Sequence, residues 1–310
     1  MVDSLQKIGE EKLIELNLNK ARMTLVDKDR ANVLLDVMTT PTQAAGGSAA
    51  NTAYWAAQLG GDVGFIGKIS NDELGKQFKT SVKESGLNDF TVFETEDNQT
   101  GHCAIFITPD GERTMNTYLG AGAFLTVEDL NEEAIKSAEI LYMEGYLWDR
   151  PTSKEAFLHA AKLNKLSGGK NAITLSDVFC VEMHRDSFIE FIKESIDFVF
   201  CNEEEIMALA SKETTEEAIA FFKREFPNLE ELVCTLGPKG AVVISNGEQT
   251  HYEATEAEVV DKTGAGDYFA AGYLYGLQKK LSIEQSADIA NRSAAYVISE
   301  VGVRPTKEFS

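Results

Sequence analysis

The sequence has little positive charge and no long apolar run. It contains 29 Lys and Arg residues against 50 Asp and Glu residues, which gives a formal net charge of −21. Such a chain has no overall basic field that would attract DNA, RNA or anionic lipid. No stretch approaches the roughly 18 consecutive apolar residues of a membrane-spanning helix, and the first residues lack the short apolar core of a secretory signal. We therefore expect a cytoplasmic protein with no nucleic-acid or membrane partner.

Cysteine and histidine are too scattered for a metal or disulfide framework. The four cysteines, Cys103, Cys180, Cys201 and Cys234, form no CxxC pair, and each lies in an apolar stretch. A reduced, buried thiol is the ordinary interpretation of that pattern. The four histidines lack metal-ligand spacing, so we assign them no role.

Three familiar glycine motifs are also absent. The segment between Gly61 and Gly67 has one residue too many for a Walker loop. Phe269 stands where the dinucleotide fingerprint beginning at Gly264 needs Gly or Ala, and Ala50 stands where a nucleophile elbow needs Gly. The sequence therefore excludes a Walker loop, a dinucleotide-binding fingerprint and a nucleophile elbow at these glycines.

What the sequence does contain is an alternation of short apolar runs and longer helical patterns. Strands are predicted at 139–145, 171–175, 198–201 and 232–235, and helices at 152–166, 186–194 and 215–224, with a capping box at 126–129. This alternation is typical of an α/β fold with a mainly parallel sheet flanked by helices. No repeat or composition break divides the 310 residues, so we expect a single domain, 1–310.

Two segments read as antiparallel hairpins instead of βα units. Alternating runs at 101–108 and 112–119 are joined by a Pro-Asp-Gly turn, and the runs at 241–245 and 249–253 are joined by Asn-Gly. The first hairpin is either a flap over a site or an edge hairpin without a functional role. The second is interpreted as structural.

The most informative segment follows a predicted strand that ends at Val260. Gly264, Ala265 and Gly266 come directly before an apolar helix, so their backbone N–H groups and the positive end of that helix form a phosphate cradle. Asp267 lies in the first helical turn, where a carboxylate beside an anion suits a proton acceptor for an attacking hydroxyl. The alternative is a simple helix N-cap after a glycine-rich turn.

A second glycine-rich turn opens another helix far away in the sequence. Gly46 and Gly47 precede a predicted helix at 52–59, and Asn51 can donate and accept hydrogen bonds to hydroxyl groups. Two such turns, each opening a helix, suggest that two ligands meet in one crevice at the carboxyl ends of the strands.

Two further motifs follow predicted strands. Asn202 and Glu205 are three residues apart on one helix face and offer oxygen ligands suited to Mg²⁺ or its waters, although an acidic first turn also complements the helix dipole. Thr235, Gly237 and Gly240 form a glycine turn at a strand end that could also be an ordinary loop.

In this order, the motifs resemble those of the PfkB, ribokinase-like family of carbohydrate kinases, over essentially the whole chain. The resemblance lies in Gly46-Gly47 with Asn51 and Gly60, in the segment 67–75, in Asn202-x-x-Glu205, in Thr235-x-Gly237-x-x-Gly240, and in Asp261-Lys-Thr-Gly-Ala-Gly-Asp267. Segments 111–120, 144–149 and 175–180 look most like the bacterial adenosine-kinase-like branch.

The resemblance implies transfer of the ATP γ-phosphate to a primary hydroxyl of a sugar or nucleoside, under a small β-sheet lid with strands at about 10–28 and 90–120. Adenosine is the leading substrate, and a ribokinase or fructokinase specificity is the alternative. By the same resemblance, Asp267 is the base, and the amides of Gly264, Ala265 and Gly266 form the anion hole. The remaining implied site residues are Asp3, Gly46, Gly47 and Asn51 for substrate; Thr235, Gly237 and Gly240 for the nucleotide; Asn202 and Glu205 for Mg²⁺ through water; and Arg113, in the lid, for the phosphates. A monomer or homodimer is expected.

The chain departs from the family pattern at two places. Lys262 stands where the family has Thr or another small residue. The family also opens with a complete strand ending in Gly-Asn before the substrate-binding Asp, whereas Met1 and Val2 alone precede Asp3 here. We expect this to leave a gap or an exposed edge in the sheet. The departure keeps open a third hypothesis, a catalytically silent nucleoside- or sugar-binding protein with the same fold.

Overall fold

The computed structural model describes residues 1–94 and 97–309. Residues 95 and 96, which fall within the predicted lid segment 90–120, lie outside this description. Across these described ranges, no helix is both long enough and apolar enough to cross a lipid bilayer.

Helices and strands alternate along most of the chain, two hairpins interrupt this alternation, and the last two elements are helices. The strands are β1 Val2–Lys7, β2 Met23–Leu25, β3 Thr42–Ala45, β4 Gly64–Ile69, β5 Asn88–Phe93, β6 His102–Ile107, β7 Arg113–Tyr118, β8 Ile140–Glu144, β9 Lys170–Thr174, β10 Phe198–Asn202, β11 Glu231–Thr235, β12 Ala241–Ser245 and β13 Glu248–Tyr252. The α-helices are α1 Glu10–Glu15, α2 Lys28–Asp36, α3 Ser48–Gln58, α4 Glu73–Glu84, α5 Glu132–Ser137, α6 Pro151–Leu166, α7 Val178–Ser195, α8 Glu203–Ala210, α9 Thr215–Glu225, α10 Ala265–Gln278 and α11 Ile283–Ile298.

A six-stranded sheet with the order β13-β12-β11-β10-β9-β8 forms the centre of the fold. Strands β8 to β11 are parallel, and β12 and β13 add an antiparallel hairpin at one edge. The parallel strands are buried on both faces, as Ile173, Val199 and Val233 show with no exposed surface. Their carboxyl ends meet at one edge, where parallel sheets commonly bind ligands.

A second sheet, separate from the central one, has five strands in the order β2-β7-β6-β1-β3. Its strands β2, β6 and β7 lie within the segments predicted for a lid, and the hairpin β6–β7 is antiparallel as its pattern predicts. Strands β1 and β3 belong to the same sheet but lie outside those segments. The division into a single domain with a lid remains a prediction.

Strands β4 and β5 form a separate pair that, within residues 1–94 and 97–309, is not hydrogen-bonded to the central sheet. Among the described residues, β4 pairs only with β5, and β8 pairs only with β9. The main cavity is lined by residues of both facing edges, including Gly64 and Ile66 from β4 and Ile140 and Tyr142 from β8. Two strand edges are therefore left without a strand between them.

The predicted strand ending at Val260 is wrong. Residues 253–260 form no strand, and Val259 and Val260 are each about half exposed. The main-chain N–H of Val260 instead donates to the carbonyl of Ile298, the last residue of α11, at 2.8 Å. The apolar pattern was misleading because β13 already occupies the edge of the sheet, which leaves this segment to run against a helix end.

Candidate active site

One cavity of about 1500 Å³ lies at the carboxyl edge of the central sheet and extends under the five-stranded sheet. It brings together most of the site residues that the sequence predicts. From that prediction, Asp3, Gly46, Gly47, Asn51, Arg113, Asn202, Glu205, Thr235, Gly264, Ala265, Gly266 and Asp267 line it. The cavity is larger than the roughly 300–1,000 Å³ of a typical small-molecule pocket, in part because it includes the space between β4 and β8.

The start of α10 forms one wall of the cavity. Gly264 caps the helix with φ +79°, and a Cβ at this position would come within 2.9 Å of the Val303 side chain. A glycine is therefore needed both for the backbone conformation and for the packing. Within the described ranges, the N–H groups of Gly264 and Gly266 have no acceptor, whereas that of Ala265 donates to the Lys262 carbonyl at 3.3 Å. Two of the three predicted anion-hole amides are thus unpaired at the positive end of a helix.

The carboxylate of Asp267 is held from the other side of the cavity by α3. Ser48 Oγ donates to Asp267 Oδ1 at 2.7 Å, and Asn51 Nδ2 donates to Asp267 Oδ2 at 2.9 Å. Burial raises the pKa of Asp267, and these two hydrogen bonds oppose that change. The helix reaches these contacts because it begins at Ser48 and not at the predicted residue 52, which places both side chains in its first turns.

Asp3 enters the same cavity from β1. Its carboxylate packs directly over Gly46, since a Cβ on Gly46 would lie 2.2 Å from Asp3 Oδ2. This close approach follows from the antiparallel pairing of β1 and β3, in which Asp3 lies opposite Ala44. Burial raises the pKa of Asp3 to about 6, and the Met1 ammonium group opposes this change. The aspartate that the resemblance assigns to substrate therefore lies in the cavity.

Glu144, at the end of β8, adds a third carboxylate. Its Oε2 accepts a hydrogen bond from the main-chain N–H of Ala49 at 2.7 Å, and burial raises its pKa. The Met1 ammonium group faces both Glu144 and Asp3, and burial lowers its pKa to about 6. The cavity thus collects three carboxylates around one partly neutralised ammonium group, an arrangement rich in acceptors for hydroxyl groups.

The predicted magnesium motif forms the start of α8. Asn202 and Glu205 make a capping box in which Asn202 Oδ1 accepts from the Glu205 N–H at 2.9 Å. Both carboxylate oxygens of Glu205 accept hydrogen bonds from Asn202, its side chain at 2.7 Å and its main chain at 3.1 Å. Burial raises the pKa of Glu205 to about 7. No group of three or more His, Cys, Asp or Glu side chains with metal-binding geometry occurs in the described part of the chain. One carboxylate that already accepts two bonds fits a hydrated ion held through water, and not a direct protein cage.

The predicted nucleotide motif is only partly at the cavity. Thr235 ends β11, lies beside Asn202 in the parallel register, and lines the cavity. Gly237 and Gly240 are not among the lining residues. The fold itself requires a glycine at position 240, because the φ of Gly240 is +89° and a Cβ there would lie 2.0 Å from the Tyr252 carbonyl. The nucleotide roles of Gly237 and Gly240 remain predictions.

Arg113, at the start of β7, contacts the segment that begins at Asp261. Its Nη2 lies 2.5 Å from Asp261 Oδ2, and its Nη1 donates to Thr263 Oγ1 at 3.2 Å. Asp261 also accepts hydrogen bonds from the N–H groups of Thr263, at 3.1 Å, and Gly302, at 2.6 Å. Arg113 is therefore paired with a buried carboxylate close to the predicted phosphate cradle.

Three residues at the site escape the sequence reasoning. Ser48 and Glu144 lie inside motif segments of the sequence, but neither their residue types nor their positions in those segments indicate a role. Arg304 follows the last helix, and its Nη1 donates to Asn51 Oδ1 at 2.9 Å. For Arg304, the sequence offers no signal, because it is about 250 residues away from the partner it contacts.

Comparison with known proteins decides the family. Residues 5–309 match the family described as pfkB family carbohydrate kinase. The chain belongs to this family. Among solved structures, the pfkB chain is similar to an adenosine kinase from Sinorhizobium meliloti, with 37% identity, a TM-score of 0.88 and coverage of 98% of this chain and 93% of that one. It is equally similar to a probable sugar kinase from Rhizobium etli CFN 42, with 36% identity, a TM-score of 0.88 and coverage of 99% and 92%.

A curated relative of this pfkB protein carries a different substrate name. The probable fructokinase-6, chloroplastic, of Arabidopsis thaliana is 30% identical over 283 residues, which cover 86% of this chain and 73% of that protein. The predicted family and the ribokinase-like α/β fold are therefore confirmed, and the protein is a sugar or nucleoside kinase of the pfkB family. The relatives include both sugar and nucleoside kinases, so they do not decide the acceptor.

Proposed function

We propose that this pfkB protein transfers the γ-phosphate of ATP to the primary hydroxyl of a ribose-containing nucleoside, with adenosine as the leading acceptor. The observation that carries the proposal is the Asp267 carboxylate, fixed by Ser48 and Asn51 beside unpaired helix N-terminal amides. A carboxylate beside an anion site repels bound phosphate. Its presence there is explained if it accepts a proton during the reaction. The similarity to an adenosine kinase over nearly the whole chain is the reason for taking adenosine as the leading acceptor, and the equal similarity to a probable sugar kinase is the reason for keeping a sugar as the alternative.

In the proposed reaction, Asp267 takes the proton of the acceptor hydroxyl while the hydroxyl oxygen forms a bond to the γ-phosphorus. The bond between the γ-phosphorus and the bridging oxygen breaks, and ADP leaves with that electron pair. The N–H groups of Gly264 and Gly266, with the helix behind them, stabilise the charge on the transferring phosphoryl group. Asp3 accepts hydrogen bonds from the ribose diol and so fixes which hydroxyl points at Asp267.

Mg²⁺ belongs to this proposal as the partner of the ATP phosphates, whose negative charge it neutralises when bound. Asn202 and Glu205 would hold it through water, in keeping with the occupied oxygens of Glu205. Thr235 lies next to Asn202 and would line the nucleotide site. Arg113 reaches the phosphates only after it leaves Asp261, which requires movement of β7 or of its side chain. A cytoplasmic monomer or homodimer completes the proposal.

The test is an ATP-consumption screen with adenosine, inosine, ribose and fructose as acceptors. We expect ADP formation that depends on the acceptor and is fastest with adenosine. Faster turnover of ribose or fructose would support the sugar-kinase alternative. Tight binding of any of these acceptors without ADP formation would instead support a silent binding protein, which the gap between β4 and β8 keeps as the second candidate.

A further inference from the structure

The segment after α11 folds back against the start of α10 and carries Arg304 into the site. The Gly302 N–H donates to Asp261 Oδ2 at 2.6 Å, and Tyr268 Oη donates to the carbonyl of Val303 at 2.8 Å. Both anchors are buried, so the main chain on the N-terminal side of Arg304 is firmly placed.

The guanidinium group of Arg304 has a well-defined position and no acidic partner. Its Cζ lies 4.0 Å from the centre of the Tyr54 ring, and its Nη1 donates to Asn51 Oδ1 at 2.9 Å and to the Val303 carbonyl at 2.6 Å. Among residues 1–94 and 97–309, the hydrogen bonds of this group go to an amide oxygen and a main-chain carbonyl, and not to a carboxylate. A partly buried cation without a counterion is costly unless nearby negative charge compensates for it.

One side-chain amide connects the guanidinium group of Arg304 to a negatively charged carboxylate. Arginine can only donate hydrogen bonds, so the oxygen of the Asn51 amide must face Arg304. The NH₂ end of the same amide then faces Asp267, to which it donates at 2.9 Å. Asn51 is 4% exposed, and the reversed amide would place its NH₂ group against the guanidinium and its oxygen against the carboxylate.

We propose that Arg304 is a positioning residue for phosphoryl transfer: it fixes the orientation of the Asn51 amide, which in turn holds the Asp267 carboxylate. The proposal rests on the proposed role of Asp267 as the base. Arg304 itself touches neither reacting group, and it acts through Asn51 and through its electrostatic field.

The charges around Asp267 show why a cation is needed there. Burial is the main cause of the raised pKa of Asp267, and Arg304 is the cation that opposes it. Two further carboxylates, one ammonium group and two phenols also face this region: Asp3, Glu144, Met1, Tyr142 and Tyr146. Two neighbouring carboxylates disfavour a third negative charge, so loss of Arg304 is expected to leave more of the base protonated.

The test compares Arg304→Gln with Arg304→Lys and with a control in the same segment, Lys307→Gln. Lys307 is 63% exposed in its side chain and contacts the main chain of Ser299 and the carboxylate of Glu300. Its substitution therefore removes one positive charge nearby without touching Asn51 or Asp267. For each protein, kcat and KM are measured with adenosine from pH 5 to pH 9, and thermal unfolding is followed in parallel.

Below its pKa, a general base is protonated and kcat/KM falls, so a higher pKa moves this acidic limb to higher pH. For Arg304→Gln, we expect the limb to move up by about half a unit or more, and kcat/KM at neutral pH to fall by about 10–100-fold, as for other residues that orient a reacting group. Arg304→Lys retains the charge and is expected to keep the limb near its parental position. Lys307→Gln is expected to match the parent in both respects.

If the acidic limb of the kcat/KM profile stays at the parental pH in Arg304→Gln, the proposal is overturned. Any loss of kcat/KM in that variant would then have a structural cause. If that variant does not fold, Arg304→Met, which keeps the aliphatic stem but removes the donors and the charge, is combined with Asn51→Ala: the two changes must be non-additive if Arg304 acts through Asn51, and additive effects would refute it. Failure of the proposed function looks different, since Asp267→Asn would then retain parental turnover.

Discussion

Replacing Asp3 by asparagine is expected to make the protein more stable and a poorer enzyme. Asp3 is 8% exposed, lies in the cavity against Gly46, and has a pKa raised to about 6 chiefly by burial. The groups that modulate it are the Met1 ammonium, Arg304 and Arg113, which lower the pKa, and Asp267, which raises it. The net effect of these charged groups on the pKa is smaller than the effect of burial. The ionised carboxylate of Asp3 therefore destabilises the folded state.

The pH dependence follows from the direction of this change. The unfolded chain releases the Asp3 proton near 3.8, and the folded protein releases it only near 6. As pH rises between these values, the unfolded state is favoured, and the cost is complete above about pH 7. At about 1.4 kcal/mol for each pKa unit, the cost is on the order of 3 kcal/mol. Asp3→Asn should therefore raise the melting temperature by roughly 5 °C at pH 8, and by little at pH 4.

Thermal unfolding of the untagged protein at pH 4, 6 and 8 measures this effect, and kcat/KM with adenosine and with 2′,3′-dideoxyadenosine measures its functional counterpart. A matched control is Asp197→Asn, because Asp197 is also buried but pairs with Lys165 at 3.3 Å and accepts from the Asn171 N–H at 2.8 Å. That change should destabilise the protein. Loss of stability at pH 8 in Asp3→Asn, or unchanged use of adenosine, would refute the reasoning that the carboxylate is retained for substrate.

Three further changes test other parts of the site. Asp267→Asn should lower kcat by about 10²–10⁴-fold with little change in ATP affinity measured by calorimetry, since a base acts mainly in the transition state; near-parental turnover would remove Asp267 from this role. Glu205→Gln should raise the Mg²⁺ concentration needed for half-maximal activity, and a magnesium titration that overlays the parental one would leave the acidic turn as a helix cap only. An apolar strand ending in Gly-Asn-Ala placed before Val2 should fill the gap between β4 and β8 and raise both the melting temperature and kcat/KM; if neither rises, that gap does not accept this strand.

The central sheet could be predicted from the sequence because its signals are local. The runs around Ile173, Val199 and Val233 are short, apolar and separated by helical patterns, so their burial in parallel strands follows from composition. The shared helix face of Asn202 and Glu205 likewise follows from residues three positions apart. Wherever both partners of an interaction lie within one turn or one strand, the pattern is sufficient.

The parts that could not be predicted depend on contacts between distant segments. An apolar run such as 258–260 reads as a strand, but whether an edge is available for it depends on β13. The placement of β1 and β3 in the outer sheet also depends on pairing with β6 and with each other. Arg304 carries no motif, and its importance appears only when the fold brings it to Asn51. The motif residues therefore meet in one candidate site, but the charges around Asp267 could be identified only from the structure.

The most direct test of the central claim is the stoichiometry of phosphoryl transfer to adenosine compared with 5′-deoxyadenosine. The two nucleosides differ only in the primary hydroxyl that Asp267 is proposed to deprotonate. With ATP and Mg²⁺, adenosine should give one AMP for each ADP by ³¹P NMR. 5′-Deoxyadenosine should give no ADP above background and should inhibit the reaction competitively. Equal ADP formation with both nucleosides, or none with any acceptor of the screen, would contradict phosphorylation of a primary hydroxyl at this site.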